Sequence, residues 1–217
     1  MDNEQLYNDI KARTNGEIYI GVVGPVRTGK STFIKRFMDV MVLPRMEDVH
    51  GKDRTRDELP QSSSGKMIMT TEPKFVPKDA AVIRLNKDTE VKVRLIDCVG
   101  YMVKGAEGHE EGGKERLVRT PWFSEEIPFT KAAVIGTQKV IHDHATIGIV
   151  VTTDGSITEI PPENYLEAEE RTIKELQTIQ KPFVVLVNSK KPYGEEAKEK
   201  TEELEKRYGV CALAVDC

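Results

Sequence analysis

A short segment near the amino terminus has the residue types and spacing of a phosphate-binding loop. Residues 24–31 read GPVRTGKS, which fits the pattern G-x-x-x-x-G-K-[ST]. The glycines allow backbone N–H groups to surround a phosphate, and a helix that starts there adds the positive end of its dipole. Lys30 is expected to reach the β- and γ-phosphates, and Ser31 to offer its hydroxyl to Mg²⁺. The segment therefore predicts a nucleoside triphosphate site.

A second motif follows an apolar strand pattern and reads DCVG over residues 97–100. We expect Asp97 to hold the magnesium shell and the N–H of Gly100 to face the γ-phosphate. An aspartate that ends a strand is also common as a turn residue or a helix cap. The catalytic interpretation therefore depends on the pairing of this motif with the phosphate-binding loop.

Two threonines, Thr70 and Thr71, lie between these motifs in the sequence MIMTTEP. Nucleotide switches carry a threonine at this place that senses magnesium and the γ-phosphate. Threonine is also common where a chain enters a strand, so a purely structural role is the alternative. We predict catalytic roles for Thr70, Thr71 and Asp97. The predicted Mg²⁺ ligands are Ser31, Thr71 and Asp97.

The segment NSKK, residues 188–191, lies at the end of another strand pattern. Guanine-specific proteins of this architecture carry Asn-Lys-x-Asp there, but here Ser189 replaces the lysine and Lys191 replaces the aspartate. The aspartate accepts hydrogen bonds from guanine N1–H and N2–H₂, and a lysine side chain has no acceptor. The sequence therefore predicts ATP rather than GTP. The predicted nucleotide-binding residues are Gly24, Arg27, Thr28, Gly29, Lys30, Ser31, Thr32, Gly100, Asn188 and Ser189.

Two residues in or next to these motifs leave the hydrolysis step open. Tyr101 follows Gly100, where some GTPases have a glutamine that positions water, so either another group orients the water or hydrolysis is slow. Arg27 lies within the phosphate-binding loop, where several self-associating GTPases coordinate a monovalent cation. Its guanidinium either supplies charge at the phosphates or faces solvent.

Alternating strand and helix patterns position these motifs. Apolar, β-branched runs predict strands, and apolar residues at helical spacing predict helices. The predicted strands are 18–23, 74–85, 90–96, 146–153, 183–188 and 210–215, and the predicted helices are 31–42, 131–144, 163–179 and 195–208. This alternation predicts an α/β fold of three layers, with a mostly parallel central sheet and helices on both faces.

Four segments lack such periodicity, and we expect arms, turns or loops there. They are 1–15, a polar arm or short helix; 45–66, a charged loop within a switch region of 45–73; 86–88, a hairpin turn; and 101–130, an insertion after the D-x-x-G motif. Trp122 and Phe123 are expected to pin the insertion to the body of the domain. Long loops within compact domains are usually functional or mobile.

The composition excludes several classes of protein. The 217 residues carry 32 basic and 36 acidic side chains, a net charge of −4, which disfavours sequence-independent binding to nucleic acid. Three widely spaced cysteines without a metal-binding pattern indicate a reducing compartment and no structural metal. No apolar run approaches the roughly 20 residues of a membrane span, and the amino terminus is too polar for a signal peptide. We therefore expect a single cytoplasmic domain.

Longer phrases carry a family resemblance across essentially the whole chain. They are IYIGVVGPVRTGKSTFIKRFM, DELPQSSSGKMIMTTEPKFVP, RLIDCVGY, TPWFSEEIPF and HATIGIVVTTDGSITEI. Together they resemble the stage IV sporulation protein A family, the morphogenetic ATPases of the bacterial spore coat. The resemblance implies a P-loop domain of the translation-factor-related GTPase class that has changed to ATP. It implies the P-loop role for Lys30 and the Walker B role for Asp97. It implies the sensor role for Thr70 and Thr71.

The resemblance also implies a function for a longer protein, of which residues 1–217 would be the nucleotide-binding domain. ATP hydrolysis would drive self-assembly into a static polymer, the basement layer of the coat on the forespore surface, in the mother-cell cytoplasm. Further domains would follow, because the chain stops after a strand that lacks its covering helix. Their carboxyl-terminal region would contact spore coat proteins and a small amphipathic membrane-bound peptide.

Two other functions stay open on the residues alone. A regulatory GTPase acting on a separate effector would show the opposite base preference. A metabolic kinase is disfavoured, because the chain has a D-x-x-G motif and a switch threonine but no arginine-rich lid over an acceptor.

Overall fold

The fold is seen in a computed structural model, which describes residues 16–60, 72–84 and 90–217. The strands are β1 (Glu17–Val23), β2 (Lys74–Arg84), β3 (Glu90–Asp97), β4 (Glu110–Glu111), β5 (Lys114–Glu115), β6 (Leu117–Thr120), β7 (Phe123–Pro128), β8 (Ile147–Thr153), β9 (Phe183–Asn188) and β10 (Ala212–Val215). The α-helices are α1 (Lys30–Phe37), α2 (Val49–Asp57), α3 (Phe129–Lys139), α4 (Leu166–Thr178) and α5 (Glu195–Tyr208). Short π- or 3₁₀-helical turns follow α1 (Met38–Val42 and Leu43–Arg45), follow α3 (Val140–His144) and precede α4 (Pro162–Tyr165).

The central sheet has the strand order β2-β3-β1-β8-β9-β10. Strand β2 runs antiparallel to β3, and the other neighbouring pairs are parallel, which confirms the predicted mostly parallel sheet. Parallel strands present their carboxyl ends at one edge, which is where α/β proteins bind ligands. In the pairing of β1 with β3, Val22 lies beside Asp97. The register therefore brings the end of β3 next to the loop that follows β1.

An apolar core lies on each face of the sheet. One core contains Ile34 of α1 and Met38 of the π-helical turn that follows it. The other contains Ile173 of α4 and Leu204 of α5. All four side chains are fully buried, so the sheet is covered by helices on both faces and the predicted three layers are confirmed.

The prediction of a loop at 45–66 is wrong for the first half of that segment, which contains a helix. Helix α2 covers Val49–Asp57, and the Asp48 carboxylate at its N-cap accepts a hydrogen bond from the His50 N–H at 3.1 Å. Of its residues only Thr55 is buried. A helix that is charged and exposed almost all round has no apolar stripe, so hydrophobic periodicity does not reveal it.

The insertion predicted as irregular at 101–130 contains two small hairpins, β4–β5 and β6–β7. Two-residue strands such as β4 and β5 are too short to show an alternating pattern. The ammonium of Lys139 lies 5.6 Å from the Trp122 ring centre, and that of Lys131 lies 5.3 Å from the Phe123 ring centre. Phe123 stays 42% exposed. These aromatic side chains therefore contact α3 through its lysines rather than by full burial.

Some predictions concern positions outside the described residues. They are the arm at 1–15, the hairpin turn at 86–88, and the side chains of Thr70 and Thr71. In the described parts of the chain, no helix has both the length and the apolar character needed to cross a bilayer.

Candidate nucleotide-binding site

The phosphate-binding loop connects β1 to α1, as the sequence predicts, and a lysine lies at its centre. Lys30 Nζ donates a hydrogen bond to the carbonyl O of Pro25 at 2.6 Å, and Thr28 Oγ1 donates to the same oxygen at 2.9 Å. Lys30 is 5% exposed, and burial lowers its pKa because the charged form has lost most of its water, although Cys98 and Asp97 act in the opposite direction. An anionic phosphate would supply the stabilisation that this ammonium lacks.

Ser31 and Asp97 meet at the carboxyl edge of the sheet, where Ser31 Oγ donates to Asp97 Oδ2 at 2.6 Å. Asp97 Oδ1 is buried and has no hydrogen-bond partner among the described residues. Burial raises the pKa of Asp97, although the Ser31 hydroxyl and the Lys30 ammonium act in the opposite direction. Mg²⁺ takes hard oxygen donors, often only one or two carboxylates together with substrate phosphates. A carboxylate oxygen with an open acceptor position beside a hydroxyl therefore fits the predicted metal.

Gly100 brings the second motif directly against the phosphate-binding loop. Its φ is +95°, and a Cβ at this position would lie 2.2 Å from the Gly24 carbonyl O and 2.6 Å from Lys30 Nζ, so only glycine fits. The Tyr101 N–H donates to the Gly24 oxygen at 3.2 Å, and the Val26 N–H donates to the Tyr101 carbonyl O at 2.8 Å. The predicted γ-phosphate contact and the predicted phosphate-binding lysine therefore lie side by side.

Asn188 holds the phosphate-binding loop against the end of β9. Its Nδ2 donates to the Thr28 carbonyl O at 3.0 Å, and its Oδ1 accepts from the Cys217 N–H at 3.2 Å. Gly29 is favoured beside it, because its φ is +90° and a Cβ there would lie 2.3 Å from Nδ2. Ser189 is 1% exposed. The sequence indicates contact with the nucleotide for both side chains. The structure shows Asn188 bound to the phosphate-binding loop, and nucleotide contact by Asn188 and Ser189 stays a prediction.

Arg27 has a backbone conformation that is rare for a residue with a side chain. Its φ of +65° lies in the left-handed region, and the residue is half-buried. Burial raises the pKa of Tyr165, and the Thr158 hydroxyl and the nearby Arg27 guanidinium oppose that rise. Of the two roles that the sequence allows for Arg27, an entirely solvent-facing side chain is disfavoured.

The loop that follows β8 borders the site, and no role was predicted for it from the sequence. The Lys190 N–H donates to Ser156 Oγ at 3.0 Å, and the Ser156 N–H donates to Asp154 Oδ1 at 2.9 Å. These bonds join the loop after β8 to the loop after β9. The one available signal is the turn sequence DGS at 154–156, which marks a loop but not its neighbours.

The remaining predicted residues are placed to different extents. Thr32 is exposed in the first turn of α1, on the same helix as Lys30 and Ser31. Thr70 and Thr71 lie outside the described residues, so their catalytic and metal-binding roles stay predictions.

Comparison with known proteins gives one family for the whole chain. A family profile described as "Stage IV sporulation protein A, ATPase domain" matches residues 1–217. A relative of that name in Clostridioides difficile (strain 630) is 58% identical over 214 residues, and one in Bacillus subtilis (strain 168) is 50% identical over 215. Both alignments cover 99% of this chain and 44% of the relative, so the chain spans a little under half the length of these proteins.

Among solved structures, the fold is similar to that of a variant of Era from Aquifex aeolicus bound to GDP and AlF4−. The TM-score is 0.52 at 13% sequence identity, and the alignment covers 93% of this chain and 51% of the other. At this identity the similarity concerns the fold alone. It agrees with the three-layer α/β architecture.

Proposed function

Because the chain belongs to the family of the ATPase domain of stage IV sporulation protein A, we propose that it binds ATP at the Lys30 site and hydrolyses it to ADP and phosphate. One observation carries this assignment of the site. Lys30 and Ser31 of the phosphate-binding loop meet Asp97 and Gly100 of the D-x-x-G motif at the carboxyl edge of the sheet. In hydrolysis a water oxygen forms the new bond to the γ-phosphorus, and the bond to the β–γ bridging oxygen breaks.

Each residue has a separate task in this proposal. Lys30 neutralises charge on the β- and γ-phosphates, and the N–H groups at the start of α1 bind phosphate oxygens. The N–H of Gly100 donates to the γ-phosphate. Ser31 and Asp97 would hold Mg²⁺, which supplies positive charge to the phosphate oxygens when it is bound. Tyr101 donates its hydroxyl to Glu175 Oε2, so a different group orients the attacking water.

Asp97→Asn should lower the Mg²⁺-dependent hydrolysis rate by at least about tenfold, because even a group that only orients a metal's ligands typically contributes about 10- to 100-fold. The amide keeps the size of the side chain and an acceptor for the Ser31 hydroxyl, but it loses the negative charge. Steady-state phosphate release over a range of Mg²⁺ concentrations measures the effect. Asp143→Asn, which changes an exposed aspartate in the turn before β8, serves as the control. Normal hydrolysis by the Asp97 variant would require a different carboxylate for the metal.

Base preference should follow the residues at positions 189 and 191. ATP should outcompete GTP, because Lys191 cannot accept the hydrogen bonds of guanine N1–H and N2–H₂. Ser189→Lys combined with Lys191→Asp should raise GTP affinity about tenfold, which is the usual effect of one hydrogen-bonded group to a base edge. Equilibrium competition with a fluorescent nucleotide measures both affinities. Lys190→Asp adds a carboxylate at the neighbouring exposed position and should leave the preference unchanged.

We further propose that, in the longer protein, hydrolysis drives self-assembly into the basement layer of the spore coat on the forespore surface. Support comes from the whole-chain match to this family and from the relatives' names. The longer protein would act in the mother-cell cytoplasm and would contact coat proteins and a small amphipathic membrane-bound peptide through regions beyond this chain. Nucleic acid is not among the proposed partners, because the net charge is −4.

Sedimentation of this chain and of the longer protein, each with and without ATP, tests the assembly proposal. We expect this chain to stay monomeric or form a small oligomer, and the longer protein to form sedimentable polymer in an ATP-dependent way. Closure of the switch loops around ATP can promote assembly only if another surface of the protein binds the closed form differently from the open form. We propose that this surface lies in the longer protein. Filaments of residues 1–217 alone would place the polymer interface within this domain, with the insertion at 101–130 as the first segment to test. Polymer that forms equally without ATP would contradict the coupling.

A further inference from the structure

Tyr101 lies directly after the D-x-x-G motif, yet its side chain turns away from solvent into the layer formed by α3 and α4. The residue is 2% exposed, and its hydroxyl donates to Glu175 Oε2 on α4. The guanidinium carbon of Arg171 lies 4.1 Å from the centre of the tyrosine ring. Gln138 Nε2 on α3 donates to Glu175 Oε1 at 3.1 Å. The tyrosine is therefore held by two residues of α4, and one of them, Glu175, is itself bound by a residue of α3.

The backbone of the same residue is tied to the phosphate-binding loop on both sides. The Tyr101 N–H donates to the Gly24 carbonyl O, and the Tyr101 carbonyl O accepts from the Val26 N–H. Gly100, one residue earlier, has no room for a Cβ between the Gly24 oxygen and Lys30 Nζ. A small rotation about the backbone bonds of Gly100, which join its own N–H to the Tyr101 peptide, would therefore move the Gly100 N–H relative to the lysine that binds the same phosphate.

We propose that Tyr101 is a positioning residue that fixes the Gly100 N–H for the γ-phosphate, because its side chain, held by Glu175, anchors the chain directly after Gly100. This inference rests on the proposed ATPase function of the site. The chain thereby uses the position after Gly100 to hold a hydrogen-bond donor in place. The burial and the carboxylate partner raise the pKa of Tyr101, so its hydroxyl stays a donor throughout the neutral range.

If Tyr101 positions the Gly100 N–H, its substitution should weaken the binding only of nucleotides that carry a γ-phosphate. Tyr101→Phe removes the bond to Glu175 but keeps the ring beneath Arg171. We expect affinity for a non-hydrolysable ATP analogue and the maximal hydrolysis rate each to fall about five- to tenfold, because a loosened donor is misplaced at the reacting group. Affinity for ADP, which has no γ-phosphate, should stay within about twofold of wild type.

Tyr19→Phe is the matched control. The Tyr19 hydroxyl donates to Glu17, and Arg94 lies 5.6 Å from its ring centre, so this tyrosine has partners of the same kind, although it is only half-buried. Tyr19 lies near the amino-terminal end of β1, whereas the nucleotide site lies beyond the carboxyl end. This variant should leave all three nucleotide measurements unchanged.

The test measures the affinities for ADP and for the ATP analogue by titration calorimetry, and kcat and KM by phosphate release. Glu175→Gln, which keeps the side-chain size and weakens the acceptor, gives a second reading if Tyr101→Phe does not fold. Loss confined to the ATP analogue and to kcat supports the proposal. Equal losses of affinity for ADP and for the ATP analogue would show that Tyr101 is merely structural and would contradict the proposal. Affinities and kcat within twofold of wild type for both Tyr101→Phe and Glu175→Gln would overturn it as well. If the wild-type chain bound neither nucleotide, the underlying ATPase proposal would fail instead.

Discussion

Lys30→Ala is expected to weaken ATP binding about a hundredfold. The ammonium is buried in the centre of the phosphate-binding loop, where its hydrogen bond at 2.6 Å goes to the Pro25 carbonyl O. A charge-assisted contact to phosphate is worth about 2–3 kcal/mol, and each 1.4 kcal/mol corresponds to a tenfold change in affinity. Hydrolysis at low ATP concentration should fall by at least the same factor. Titration calorimetry and phosphate release measure the two effects.

The loss of binding should not come from unfolding. Burial lowers the pKa of Lys30 in the folded state, so at neutral pH the buried charge itself opposes folding, and urea unfolding of the variant checks its stability directly. Lys35→Ala, about one turn further along α1, is the control that should keep ATP affinity. A Lys30→Ala variant that binds ATP within twofold of wild type would contradict the phosphate-binding assignment.

Lys200→Met should destabilise the fold by about 3–5 kcal/mol, which is the usual effect of removing one partner from a buried ion pair. Glu169 on α4 is fully buried, and its Oε1 lies 3.0 Å from Lys200 Nζ on α5. Its Oε2 accepts from Thr152 Oγ1 at 2.6 Å. Without Lys200 the carboxylate charge would stay buried with a single neutral donor. Urea unfolding followed by circular dichroism measures the change.

Two further variants distinguish the contribution of the buried pair to stability from that of an exposed ion pair. Lys198 and Glu202 form an exposed pair at 3.7 Å on the same helix, so Lys198→Met should cost less than about 1 kcal/mol. Glu169→Gln in the Lys200→Met background keeps the acceptor for Thr152 and should recover part of the loss. Equal unfolding midpoints for Lys198→Met and Lys200→Met would show that the buried pair contributes no more than a surface pair.

Segments with strong local signals were predicted closely. The predicted bounds of β9 at 183–188 and of α5 at 195–208 agree with the structure. An apolar β-branched run is typical of a buried strand, and a charged run with apolar positions at helical spacing is typical of a surface helix. The phosphate-binding loop was located for a similar reason, since its glycines, lysine and serine act within eight consecutive positions.

The features that sequence reasoning missed depend on contacts between distant residues. Helix α2 has no apolar stripe, so its N-cap at Asp48 was a weak signal on its own. The engagement of Asn188 with Thr28 spans 160 positions, and that of Tyr101 with Glu175 spans 74. No local pattern specifies which partner such a side chain finds. The sequence therefore singled out Asn188 and Tyr101 but did not predict which residues they contact.

Phosphate release from ATP and from GTP, measured side by side for the wild-type chain and for Lys30→Ala in the presence of Mg²⁺, tests the proposed activity most directly. We predict that the wild-type chain releases phosphate from ATP in preference to GTP without any added acceptor, and that the Lys30 variant loses this release. Preference for GTP would contradict the proposed base specificity and favour a regulatory GTPase. Equal phosphate release from ATP by the wild-type chain and by Lys30→Ala would contradict the central claim, because it would show that hydrolysis does not take place at the Lys30 site.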